Sequence, residues 1–272
     1  MNDNARIAFI GGGNMASALI GGLIQKGQRP HDLLAVEIDA ARREALARAF
    51  GIEVAPAPDA RLARFDVLVL SVKPQQMREA CSALRPFVGQ QLVLSIAAGI
   101  RIADLARWLG TDRIVRAMPN TPALIGRGIA GLAAGRAVTP AQREQATQIL
   151  QAVGTVVWLD DEAQLDAVTA ISGSGPAYVF YFIEALIEAG RAMGLSDEPS
   201  RRLAIETLVG ASHLAAESGE PPEVLRARVT SKGGTTAAAI ESMDADQIKA
   251  KIVAAVRAAQ RRAAELGDEF GK

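Results

Sequence analysis

Cysteine, histidine and aromatic residues are scarce in this chain. Its 272 residues include one cysteine, two histidines and only 4% aromatics. A lone Cys81 has no internal disulfide partner, and two histidines with one cysteine cannot build a His/Cys metal cage, so no metal site is expected. An excess of charge is missing too: 30 Lys and Arg balance 30 Asp and Glu. Without a basic field there is nothing to draw in a phosphate backbone, and no nucleic-acid partner is expected. No stretch of about eighteen residues is apolar throughout, so no membrane partner is expected either. The opening Met1–Arg6 lacks the basic head, apolar centre and small-residue cleavage site of a secretory leader. With 49% of its residues apolar, the chain reads as a soluble cytoplasmic protein of one or two globular domains.

What is present changes character along the chain. Short Val/Ile/Leu runs alternate with helical stretches up to about Asp160; beyond it, alanine-rich helical patterns dominate. This places a boundary near Asp160–Ala163 and predicts an α/β fold in two parts. Residues 1–162 form a Rossmann-type parallel-sheet domain, and residues 163–272 form an all-helical domain.

The first part opens with Ile7–Ile10, an apolar run of the kind buried in parallel sheets, followed by Gly11-Gly12-Gly13-Asn14-Met15-Ala16 and a helical pattern from Ser17 to Gln25. Strand, glycine turn and helix in that order give the dinucleotide fingerprint its meaning. The glycines let the backbone approach a pyrophosphate, and the helix start offers free N–H groups. A second strand, Leu33–Val36, ends at Glu37. An acid there accepts hydrogen bonds from the adenosine ribose and disfavours a 2′-phosphate, and Asp39 adds to the repulsion. Arg42 and Arg43 follow closely and offer the opposite chemistry, so NADH and NADPH both stay open.

Further strands at Val67–Val72, Leu92–Ile96 and Ile114–Met118 each run into a turn of small residues or proline. Ligands of open α/β sheets collect outside the carboxyl ends of the strands. Ser71, Val72, Lys73 and Pro74, then Ala97, Ala98 and Gly99, then Pro119–Pro122 are therefore expected to line one cleft with Ile10, Gly11, Gly13, Asn14, Met15 and Ala16. Lys73 faces either that cleft or solvent.

In the second part, Ile171–Tyr178 sets serines ahead of Pro176 and an apolar helix, which reads as a helix start. Val229–Thr236 concentrates hydroxyls and glycines ahead of a helix over Ala237–Met243, an arrangement that aims several N–H donors at one point and suits a carboxylate. His31 and His213 lie in neither turn. Cys81, Trp108 and Trp158 read as packing residues.

Together these segments resemble pyrroline-5-carboxylate reductases nearly end to end. The carriers are Phe9–Leu19, Ser71–Gln75, Ser95–Gly99, Arg116–Leu124, Ile171–Phe180 and Val229–Ile240. The resemblance implies NAD(P)H-dependent reduction of 1-pyrroline-5-carboxylate to L-proline, and a helical domain that dimerises, with dimers commonly gathered into decamers. It assigns the substrate to Val229, Thr230, Ser231, Gly233, Gly234, Thr235 and Thr236, with the Thr236 hydroxyl meeting the ring nitrogen as the catalytic group. It assigns the dinucleotide to Gly11–Ala16 with Ile10, Glu37, Ser71–Pro74 and Ala97–Gly99, with Asn120 near the nicotinamide. Glu37 and Lys232 depart from the usual pattern, which more often has a small or basic residue and a proline. A β-hydroxyacid dehydrogenase of similar build would need a lysine on the first interdomain helix, and Gly175–Ala189 has none. A non-catalytic dinucleotide sensor would not need Ser231–Thr236.

Overall fold

A computed structural model describes residues 5–271. The chain runs β1 (Ile7–Ile10), α1 (Asn14–Gln25), β2 (Leu33–Val36), α2 (Ala40–Phe50), β3 (Glu53–Ala55), β4 (Val67–Leu70), α3 (Met77–Leu84), β5 (Leu92–Ser95), α4 (Ile102–Leu109), β6 (Ile114–Met118), β7 (Gly128–Ala134), α5 (Pro140–Gln151), β8 (Gly154–Trp158) and α6 (Gln164–Val168). It continues through α7 (Gly175–Ala192), α8 (Asp197–Glu217), α9 (Pro222–Arg228), α10 (Thr235–Ala245) and α11 (Ile248–Phe270). The chain divides into two compact units, one of residues 1–174 with 259–272, the other of residues 175–258. That division lies later than the change in composition near Asp160, because α6 and the turn after it pack with the sheet.

The strands of the first unit form one sheet in the order β3-β2-β1-β4-β5-β6-β7-β8. From β3 to β6 all neighbours are parallel. The order 3-2-1-4-5-6 is that of a doubly wound dinucleotide-binding sheet. β7 then pairs antiparallel with β6, and β8 runs parallel to β7, so the sheet is mostly parallel, as expected, with one reversed pair of strands at its β8 end.

Strands β1, β2, β4 and β5 are buried on both faces, as continuous apolar runs require. One face packs Phe9, Val69, Leu94 and Val115 against Leu19 of α1, Leu46 of α2 and Ile149 of α5. The other packs Ala8, Ile10, Leu68 and Val93 against Met77 and Cys81 of α3 and Leu105 of α4. Trp108 and Trp158 pack at the margins of these two layers. The first unit is completed by the far end of α11. There Arg101 pairs with Asp268 at 2.7 Å, Arg107 donates to the Gly271 carbonyl, and Leu266 and Phe270 approach the position a side chain would take at Gly99.

The second unit is helical throughout, with α7 packed on α8. It leaves large apolar side chains in solvent, among them Phe180, Tyr181, Leu203 and Val209. The helical run Gln164–Ala192 is long and apolar enough, by length and composition, to cross a membrane. No such stretch was expected from the sequence; the run qualifies because no charge falls between Asp166 and Glu184.

Candidate functional site

Four strand ends of the first unit are stitched together by backbone. The Gly11 amide donates to the Val36 carbonyl at 2.8 Å and the Ser71 amide to the Ile10 carbonyl at 2.9 Å, and the Ile96 amide reaches the Leu70 carbonyl at 3.1 Å. The Ser71 hydroxyl adds a bond to the Gly11 carbonyl at 2.8 Å. These contacts bring Ile10–Ala16, Glu37, Ser71–Pro74 and Ala97–Gly99 to the carboxyl edge of the sheet. Gly11 sits at φ +100°, and a Cβ there would lie 2.8 Å from the Ser71 carbonyl oxygen. Only glycine fits this turn.

Behind the turn, Gly13 occupies the N-cap of α1 and no side chain caps the helix. The first N–H groups of α1, from Asn14 onward, are left for a ligand, and the helix dipole adds its positive end. Ala16 is fully buried, so it serves helix–sheet packing, while Asn14 is exposed at the mouth of the turn. The open donors and the close backbone approach fit a pyrophosphate.

Glu37 is only 7% exposed. Its carboxylate accepts from the Gly12 amide at 2.8 Å and from the Asp39 amide at 2.9 Å. Asp39 caps α2, and the Arg42 amide that it accepts holds its carboxyl below the usual carboxylate range. Arg43 turns back to the main chain and donates to the carbonyls of Glu37 and Ile38 at 2.7 and 2.8 Å. Lys73 is exposed.

Asn120, expected beside the nicotinamide, uses both ends of its side-chain amide within the fold. Its Oδ1 accepts from the Ile129 amide at 3.0 Å, and its Nδ2 donates to the Ser172 carbonyl at 3.1 Å. That carbonyl is available for a local reason. The helix start expected around Ser172–Pro176 does not exist as such: α6 continues through a π-helical turn, Thr169–Gly173, into α7. Pro176 has no N–H to return to the residue four before it, which is Ser172, and Asn120 takes the vacated acceptor.

One cluster escaped sequence reading. Arg116, 5% exposed on β6, pairs with Glu162 at 3.0 Å. The same Glu162 oxygen accepts the Ile102 amide at the start of α4 at 2.8 Å. A charge within a buried strand was the available signal, since such a charge demands a partner.

In the second unit, the Val229–Thr236 segment repeats the logic of the first helix start. Gly233 lies at φ +72°, Gly234 is the N-cap of α10, and again no side chain caps the helix. The turn is closed by the Gly234 amide on the Ser231 carbonyl and by the Thr230 hydroxyl on the Arg226 carbonyl. Ser231, Lys232, Gly233 and Thr235 are exposed and Thr236 is half-buried. The helix begins at Thr235, two residues earlier than expected, which puts Thr235 and Thr236 in the first turn where N–H groups are free. His31 and His213 are both exposed and belong to neither turn.

The sheet order and the uncapped glycine turn define the first unit as the dinucleotide-binding part of an NAD(P)-dependent oxidoreductase, and a family described as NADP oxidoreductase, coenzyme F420-dependent, matches residues 6–99. The second match, described as pyrroline-5-carboxylate reductase dimerisation, covers residues 162–266. The chain belongs to the pyrroline-5-carboxylate reductase family. It is 50% identical over 269 residues to a pyrroline-5-carboxylate reductase of Pseudomonas aeruginosa, covering 98% of both chains. It is 38% identical to one of Glycine max, covering 96% of this chain and 95% of that one. Among solved structures it is similar to the Coxiella burnetii enzyme, with a TM-score of 0.91 and 37% identity over 97% of this chain and 99% of that one. It is also similar to the Plasmodium falciparum enzyme with NADP bound, with a TM-score of 0.86 and 29% identity over the same shares.

Proposed function

We propose that the chain reduces 1-pyrroline-5-carboxylate to L-proline, the final step of proline biosynthesis, using NADPH or NADH. The division of labour follows the two parts read from the sequence, residues 1–162 for the dinucleotide and 163–272 for substrate and dimerisation. The observation that carries the reading is the pair of glycine-capped helix starts, Gly13 and Gly234, each left without a side-chain cap. Each offers backbone donors to an anion: the first to a pyrophosphate, the second to a carboxylate.

Ile10, Gly11, Gly13, Asn14, Met15 and Ala16 would hold the dinucleotide with Glu37, Ser71, Val72, Lys73, Pro74, Ala97, Ala98 and Gly99. When bound, it supplies a hydride. Asn120 fixes the loop after β6 through its bonds to Ile129 and Ser172, and so would steady the turn nearest the nicotinamide. Val229, Thr230, Ser231, Gly233, Gly234 and Thr235 would seat the substrate carboxylate. The Thr236 hydroxyl would orient the ring nitrogen and carry its hydrogen bond. A protonated imine that accepts a hydride at carbon becomes a neutral amine, so no alkoxide forms and no side chain has to deliver a proton to one. The scarcity of histidine is consistent with that chemistry. The enzyme's contribution is orientation of the ring.

The test is Thr236→Ala beside Thr236→Ser. The alanine variant is expected to lose about 100-fold in kcat/KM for pyrroline-5-carboxylate while binding dinucleotide as before, and serine restores most of the loss. Unchanged kinetics in the alanine variant would overturn the role of Thr236. We further assign the working form as a ring of dimers, a decamer, in the cytoplasm, without nucleic-acid or membrane partners. The balanced charge supports the absence of a nucleic-acid partner, and a partner subunit accounts for the apolar face of α7.

A further inference from the structure

We propose that this chain takes NADH in preference to NADPH, and that Glu37 sets the choice. The inference rests on the dinucleotide site described above and adds to it which of two nearly identical ligands is admitted. They differ by one phosphate on the adenosine ribose, so discrimination belongs to whatever lines the end of β2.

Two carboxylates stand there, and both are held in place. Glu37 is fixed at both oxygens, by the Gly12 and Asp39 amides. Asp39 is fixed at one, by the Arg42 amide at 3.0 Å. Neither carboxylate needs to be ordered when a ligand arrives. A carboxylate is an acceptor only, so it suits a ribose diol, whose hydroxyls donate. To a 2′-phosphate it presents like charge, with no donor to offer in return. Rejection of this kind comes from a built-in repulsion rather than from a missing contact.

The cations in reach do not reverse this. Arg43 would be the natural phosphate partner, but its Nη1 already donates to two main-chain carbonyls. Moving it to a phosphate would leave the Glu37 and Ile38 carbonyls without that donor. Arg42 is exposed on α2 and lies beside the Asp39 carboxylate, so its charge is partly offset. Glu37 also has a second task that a simple specificity residue would lack. Its bond to the Gly12 amide ties the ribose-reading acid to the pyrophosphate turn. Removing the carboxylate therefore relaxes the selectivity and loosens the turn together.

The experiment measures the dissociation constants of NADH and NADPH by titration calorimetry, without substrate. It is applied to the wild type and to Glu37→Gln, Glu37→Ser, Arg42→Ala and Arg43→Ala, with kcat/KM for each dinucleotide measured in parallel. The wild type is expected to bind NADH about tenfold or more tighter than NADPH. Both Glu37 variants are expected to bring the two constants within about threefold of each other, with NADH binding itself weakened. Arg42→Ala and Arg43→Ala keep the preference for NADH. Tighter binding of NADPH by the wild type, an undiminished ratio in the Glu37 variants, or a selective loss of NADPH binding in Arg42→Ala would each overturn the proposal. Because binding is read without pyrroline-5-carboxylate, a failure of the reductase reading appears separately, as absence of turnover with either dinucleotide.

Discussion

Cys81 shows how burial alone decides what a side chain can do. It lies on the inner face of α3 with no exposed surface, and that burial pushes its thiol up to about 12. In the unfolded chain the thiol ionises near pH 8.5. Above that pH the unfolded state has lost its proton while the folded state keeps it, so rising pH favours unfolding. Stability from this group is complete below about pH 8.5 and is lost progressively as pH climbs toward 12. Urea titrations from pH 8 to pH 11 should therefore show a falling stability whose slope is shallower in Cys81→Ala. Equal slopes in the two proteins would refute it. A thiol reagent should likewise stay unreacted until the protein is denatured.

At this scale, legibility depended on whether a residue's partner was close in sequence. The glycine turn was readable because Gly11–Ala16 carries its chemistry in its own spacing. Glu37 was readable as an acid at a strand end, yet its bond to Gly12 was not. The Asn120–Ser172 bond needed two facts at once: a proline that cannot donate, and an amide 52 residues away to take its place.

Among the elements, the strands with large β-branched or leucine side chains could be read directly. Those toward the two ends of the sheet, β3 at one and β7 and β8 at the other, could not. Gly128–Ala134 is mostly glycine and alanine, which have weak strand preference, and Glu53–Ala55 is too short for any period to show. Both exist because a neighbouring strand offers them a ladder. The Arg116–Glu162 pair works between elements, since it joins β6 to the start of α4 through one carboxylate. Arg116 is the more buried partner, so the two deletions should be unequal. Glu162→Ala leaves a buried guanidinium unpaired and should cost about 3–5 kcal/mol in urea unfolding, whereas Arg116→Ala leaves a partly solvated carboxylate and should cost less. Finding both variants as stable as the wild type would mean the pair is idle.

For the whole molecule, the helical unit does not bury its own apolar surface. Phe180 is 59% exposed and Tyr181 77% exposed, on the same helix, within the residues that match the dimerisation family. Exposed apolar area on this scale marks an interface. Tyr181→Glu should shift the protein toward monomers in analytical ultracentrifugation, with the fold intact by circular dichroism. An oligomer that survives this substitution, and Phe180→Glu as well, would place the interface elsewhere. The alanine-rich composition after Asp160 foretold helices, but it could not say which face would be left bare, because that depends on a second chain.

The far end of α11 has a consequence for biosynthesis. The sheet around Ile7–Ile10 leaves the ribosome early, but the residues that brace Gly99 and Arg101, from Leu266 to Gly271, emerge only after the entire helical unit has been translated. The nascent dinucleotide fold therefore waits, with one flank unsupported, for a stretch of chain made after the whole helical unit.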